Sequence, residues 1–90
     1  VTPEQRDLAR HALGLDGRRK RSYRNHFVTG PGASDHAAWM AMRDAGLAWR
    51  RKGSNLLTSG YDLFGLTLQG ARAALEPGET LCSEDFPKQN

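Results

Sequence analysis

A single cysteine, Cys82, and seven aromatic side chains (two Trp, two Tyr, three Phe) are all that this 90-residue chain has of either kind. One cysteine rules out an intramolecular disulfide framework and fits a reducing compartment. No apolar run approaches the ~20 residues needed to cross a bilayer, so no membrane partner is expected. The N-terminus lacks the apolar core of a signal peptide, which predicts cytoplasmic residence. Also missing are the spaced motifs of common catalytic and cofactor sites. There is no Gly-x-x-x-x-Gly-Lys-Ser/Thr, no strand followed by Gly-x-Gly-x-x-Gly, no His-x-x-x-His and no Cys-x-x-Cys. These absences predict no cofactor, no metal centre and no enzyme.

What is present is a polar, basic chain: 38% hydrophobic, mean hydropathy -0.67 and formal net charge +3. At this length a single domain with a thin core is expected. The charge is uneven. Twelve of the 13 Lys and Arg precede residue 76, against six of the 10 acids, which leaves that part at +6. Residues 76–90 carry Glu76, Glu79, Glu84 and Asp85 against Lys88, or −3. The expected organisation is a basic domain over residues 1–75 and a loosely attached acidic tail over 76–90. Such a body attracts nucleic acid or an acidic protein surface, and the tail could screen it in cis; ordinary solvated surface is the competing reading.

Hydrophobic spacing and cap chemistry predict three helices. Thr2, Pro3 and Gln5 form a capping-box start, Leu8, Ala9, Ala12 and Leu13 recur at helical spacing, and Gly14 terminates. A second helix begins at Ser34 or Asp35, both good caps, and runs through Ala38, Trp39 and Met42 to Gly46, with Leu47 packing back. A third is capped by Thr67 and carries Leu68, Ala71, Ala74 and Leu75. Between them Tyr23, Phe27 and Val28, then Ala48-Trp49-Arg50-Arg51, then Tyr61 to Leu66 read as extended. Residues 52–55 and 58–60 are turn chemistry around Leu56-Leu57. Trp39, Met42, Trp49, Phe64 and Leu66 are the expected core. The fold class is α+β, three short helices with a small antiparallel sheet of two or three strands.

Two stretches invite a chemical reading. Thr29-Gly30-Pro31-Gly32 before a helix could present backbone N–H groups to an anion, near Arg24. Pro31 supplies no N–H, however, and Asp35 places a carboxylate where the anion would sit, so a structural connector is the better reading. His26 lacks a defined nucleophile and orienting acid, and Cys82 lacks local cations that would lower its pKa. The other stretch is the basic run Arg18, Arg19, Lys20, Arg21 and Arg24. With Arg50, Arg51 and Lys52 it holds eight of the 13 cations. If folding joins the two groups beside Tyr23, they form a patch suited to phosphate backbones or an acidic partner.

Residues 35–75 resemble the second half of a winged-helix domain. The resemblance rests on Ala45-Gly46-Leu47 closing a helix, Arg50-Arg51 on the next strand, the return strand Tyr61 to Leu66, and Leu66-Thr67-Leu68-Gln69-Gly70-Ala71-Arg72-Ala73-Ala74-Leu75. It implies a hairpin wing and a DNA-facing second helix. The first half is degenerate, since basic residues and the Thr-Gly-Pro-Gly loop stand where a supporting helix belongs. On the second helix only His36 and Arg43 could donate to base edges, and Asp35 and Asp44 would repel phosphates. The chain is also similar, over about residues 8–75, to small proteins encoded in bacterial phages and prophages. The shared elements are Tyr23-Arg24-Asn25-His26-Phe27, Gly30-Pro31-Gly32, the Asp35 to Trp39 helix start and Ala45-Gly46-Leu47. The functional expectation is a small non-catalytic phage-type protein whose basic surface engages DNA or a nucleoprotein. The alternative is a protein-interaction module, an inhibitor or adaptor of a host or phage protein. It would use the basic face and the hydrophobic wing, where Leu56-Leu57, with Met40 and Tyr61, would mark a partner contact or a homodimer.

Overall fold

The computed structural model describes residues 1–52 and 61–87. Helix α1 (Pro3–Leu13) begins with a reciprocal capping box: Gln5 N–H donates to Thr2 Oγ1 and Thr2 N–H to Gln5 Oε1, both at 3.1 Å. Gly14 closes it at φ 80°, a left-handed conformation that costs a side-chain-bearing residue energy but not glycine. Strand β1 (Phe27–Thr29) follows, then α2 (Ser34–Asp44), β2 (Ala48–Arg51), β3 (Asp62–Leu66) and α3 (Leu68–Ala74). The three strands form one antiparallel sheet in the order β1-β3-β2, with Phe27 opposite Phe64 and Arg50 opposite Phe64 on the other side.

The core holds Ala9, Ala12 and Leu13 of α1, Trp39 and Met42 of α2, Phe64 and Leu66 of β3, and Ala71 and Ala74 of α3. The Trp39 and Phe64 rings stack at 5.6 Å, and Phe27 closes the row at 5.4 Å from Trp39. Period-two alternation along β3 turns Asp62, Phe64 and Leu66 inward. Trp49, expected in the core, is instead half-buried. It pairs with Gly65 across the sheet, and its ring occupies the space a Cβ at that glycine would take.

Four further expectations need correcting. The N-cap of α2 is Ala33, without a side-chain cap bond; Asp35 instead accepts from Thr29 Oγ1 at 2.6 Å. Tyr23 lies outside β1, because its N–H donates to the Leu13 carbonyl (3.2 Å) and its ring lies against Gly14. Met40, a candidate contact residue, is half-buried and packs against the core. The stretch after residue 75 is not loosely attached: Leu81 and Phe86 are buried in the core, and Glu79 is buried against α1. The turn residues at 53–55 and 58–60 and the Leu56-Leu57 tip, with the dimer contact expected there, fall outside the described residues.

Candidate functional site

The basic run is built on local hydrogen bonds. Asp16 Oδ1 accepts from the N–H groups of Arg18 and Arg19, each at 3.0 Å, so the chain turns as it leaves α1. Those donors, Arg19 first and then Arg18, hold the Asp16 carboxyl below its ordinary range. The backbone then runs alongside the C-terminal segment. Thr80 N–H donates to the Lys20 carbonyl (2.8 Å) and Ser22 N–H to the Thr80 carbonyl (3.0 Å), the two segments lying parallel. Buried Ser22 accepts the Cys82 N–H on its Oγ at 2.8 Å.

Residues 23–26 cover the C-terminal end of α1. Its last carbonyls point at donors from this segment: Leu13 O at Tyr23 N–H, Ala12 O at His26 N–H (3.3 Å), and His11 O at Arg24 Nη2 (2.8 Å). A cation at the negative end of a helix is favourable in itself, which is one reason Arg24 belongs here. Asn25 extends the sheet with its side chain, accepting from Leu66 N–H at 2.8 Å and donating to the Leu66 carbonyl at 3.0 Å. Arg24, Asn25 and His26 thus have backbone-capping duties before any ligand is considered.

Arg18, Arg19, Lys20 and Arg21 are exposed, Arg24 is half-buried, and none has a carboxylate within 4.0 Å among the described residues. The guanidinium of Arg19 lies 4.4 Å from the Tyr23 ring centroid and that of Arg24 5.3 Å, so two cations flank one exposed aromatic. The second basic group does not join them. Asn25 meets β3 at Leu66, whereas Arg51 pairs with Leu63 toward the other end of that strand. Arg51 and Lys52 are exposed there, Arg51 with its guanidinium 6.0 Å from the Trp49 ring. Arg50 is withdrawn from the expected patch: its Nε (2.9 Å) and Nη2 (2.8 Å) both donate to Asp62 Oδ2.

Asp62 anchors a polar cluster that sequence reasoning missed. The residue is 2% exposed, and the same Oδ2 also meets His36 Nε2 at 2.8 Å. The imidazole lies edge-on to Phe64 at 5.4 Å. Strand pairing sets Thr29 opposite Asp62, so the Thr29–Asp35 bond belongs to the same end of the sheet. The Asp62 carboxylate ties α2 and β2 to β3, and the Thr29–Asp35 bond adds β1; an unpaired charge at the depth of Asp62 would be strongly unfavourable. Ligand exchange is not needed to explain it. Among the described residues no three His, Cys, Asp or Glu side chains converge as metal ligands, and no helix is long and apolar enough to cross a membrane.

The acidic C-terminal segment is drawn toward α1. Arg10 donates through Nη1 and Nη2 to both carboxylate oxygens of Glu79 (2.6 and 2.7 Å) and through Nη1 to the Ala74 carbonyl (2.9 Å). Glu76 lies 3.7 Å from Arg6 and 3.9 Å from Arg10. The carboxylates nearest α1 are therefore paired with Arg6 and Arg10, and the run from Arg18 to Arg21 keeps its positive charge. No family model matches the chain, and no curated protein or solved structure matches it either.

Proposed function

We propose that this is a non-catalytic binding protein whose cationic ridge, Arg18 to Arg21 with Arg24, engages the phosphate backbone of nucleic acid. The observation that carries the reading is four consecutive exposed cations, without carboxylate partners, on a backbone held by the Asp16 turn and the Thr80 pairing. Ordered cations lose less conformational entropy on binding than a free arm would. Arg51 and Lys52 form a separate, weaker contact, and Arg50 takes no part.

Sequence reading by α2 does not belong to this proposal. Its inner face is buried through Ala38, Trp39 and Met42, His36 is held by Asp62, and Arg43 bonds the neighbouring Asp44 at 2.9 Å. The winged-helix reading is kept as part of the proposal. Its support is that α2 ends before Gly46-Leu47, β2 carries Arg50-Arg51, and β3 returns antiparallel to Leu66, where Thr67 caps α3. Cytoplasmic residence and a phage or prophage source belong to the same proposal.

Titration of the protein into labelled duplex and single-stranded DNA at low and near-physiological salt tests it. Binding that is insensitive to sequence and weakens steeply with salt is the expected result. Replacing Arg18, Arg19, Lys20 and Arg21 together by Ser lowers affinity and flattens the salt slope, while replacing Arg50 by Lys changes neither. Absence of DNA binding at low salt overturns the proposal and redirects the search to an acidic protein partner.

A further inference from the structure

Where α1 meets the start of β1, the surface folds into a cleft of about 170 Å³ lined by His11, Arg24, His26, Phe27 and Val28. Among the described residues no carboxylate lines it. Three of the five side chains bring N–H donors, and the other two supply an apolar wall. The His11 ring is set edge-on to Phe27 at 5.5 Å, which gives it a fixed neighbour at the rim.

Arg24 is the unusual member. Among the described residues its guanidinium has one acceptor, the His11 carbonyl, although the group carries five N–H donors. Its Nε is fully enclosed and has no hydrogen-bond partner. Arginine nitrogens this enclosed are ordinarily bonded, and the rest of this half-buried guanidinium stays within reach of a ligand. The oxygen it meets among the described residues belongs to the α1 terminus, whose carbonyls already have donors. Leu13, Ala12 and His11 carbonyls accept from Tyr23, His26 and Arg24, and the Arg10 carbonyl accepts from Leu15 N–H at 2.9 Å. The negative end of the helix is thereby capped, and what the cleft presents is cationic and rich in donors.

We propose that this cleft is a phosphate site, seating one phosphate group against the Arg24 guanidinium, with the His11 and His26 imidazoles as flanking donors. A phosphate matches a planar guanidinium in geometry as well as charge, and a neutral imidazole can still offer one ring N–H. The site is continuous with the ridge, since Arg24 and Arg19 share the Tyr23 ring. A nucleic-acid strand crossing the ridge would set one backbone phosphate here; that source of the phosphate rests on the function proposed above. Free inorganic phosphate is the other source of the same chemistry.

The test is an NMR titration of the full chain with inorganic phosphate, against chloride at matched ionic strength, followed at the imidazole C–H signals. His36, held by Asp62, serves as the internal reference. Saturable shifts at His11 and His26, with His36 still, are expected. Arg24→Gln weakens them about tenfold, the loss expected of a charge-assisted hydrogen bond. Because Arg24 also caps α1, a second variant joins His11→Ala with His26→Ala, both at exposed positions, and is read at the Phe27 and Val28 amides. It too should bind phosphate more weakly, whereas the Ser replacements at Arg18 to Arg21 leave phosphate binding in place. Shifts equal in the chloride arm, or unchanged in folded Arg24→Gln, overturn the site. A short single-stranded DNA then separates the sources. If it moves His11 and His26 as phosphate does, the backbone reading is supported. Phosphate binding without DNA binding leaves the cleft standing and removes the nucleic-acid function. DNA binding that leaves both imidazoles unmoved keeps the nucleic-acid function on the ridge and assigns the cleft to free phosphate.

Discussion

Glu79 is a carboxylate with 1% of its side chain exposed, and it stays charged because Arg10 meets both its oxygens. That pairing, opposed by burial and helped by the Glu76 N–H, holds its pKa down at about 2 from an ordinary 4.5. A depressed carboxylate contributes stability that is complete above the unfolded value. The contribution disappears as pH falls from about 4.5 through about 2. The thermal midpoint of the wild-type chain should therefore drop more across that window than that of Glu79→Gln. At neutral pH the substitution should cost about 2 kcal/mol in urea titration, since Arg10 keeps the Ala74 carbonyl, the more distant Glu76 and one amide oxygen but loses its two-point carboxylate partner. Asp62→Asn removes the charge facing both Arg50 and His36 and should cost more, about 3 kcal/mol or above by the same measurement. Neither pair was legible in the sequence. His36 and Asp62 lie 26 residues apart, Arg10 and Glu79 lie 69 apart, and each side chain alone reads as solvated surface.

Elements were more legible where their ends carry local chemistry. The Thr2 and Gln5 box, Gly14 and Thr67 each act within a few residues, so the bounds of α1 and the start of α3 follow from short-range rules. The cap of α2 did not: the helix starts at Ser34 as expected, but Asp35 turned to Thr29 across a loop and left the N-cap to Ala33. The docking of α3 shows what local rules leave out. Thr67 N–H donates to the Leu47 carbonyl (3.1 Å) and its hydroxyl to the Gly46 carbonyl (2.8 Å), which brings Gly70 onto the turn after α2. A Cβ on Gly70 would run into the Leu47 carbonyl oxygen, which is backbone and cannot swing aside. Helix propensity favours Ala over Gly by about 1 kcal/mol, but overpacking against a fixed carbonyl costs about 1–3 kcal/mol. Gly70→Ala should therefore destabilise by about 1–2 kcal/mol in denaturant titration, with exposed Gln69→Ala as a near-neutral control.

For the whole molecule, the stretch after residue 75 is decisive for stability. The surplus of acids after residue 75 reads as a solvated tail, and only Leu81, Cys82 and Phe86 hint otherwise, too few to show a pattern. Yet Leu81 and Phe86 are 2% and 5% exposed. In a domain this small, truncating either to Ala should remove about 2–5 kcal/mol, a large share of the ~5–15 kcal/mol typical of folded domains. A chain cut after residue 75 should lose its cooperative melting transition by circular dichroism rather than become a stronger binder freed of an acidic screen. The pairing of residues 20–22 with 80–82 joins segments 60 residues apart. Contacts so distant in sequence form only after a large loop has closed, and during synthesis only after the second partner exists. A growing chain on the ribosome thus displays its arginines from early on, without the rail that aligns them. Order in the cationic ridge comes only once residues 80–82 have been made, so a copy not yet extended that far cannot compete for the same ligand on equal terms.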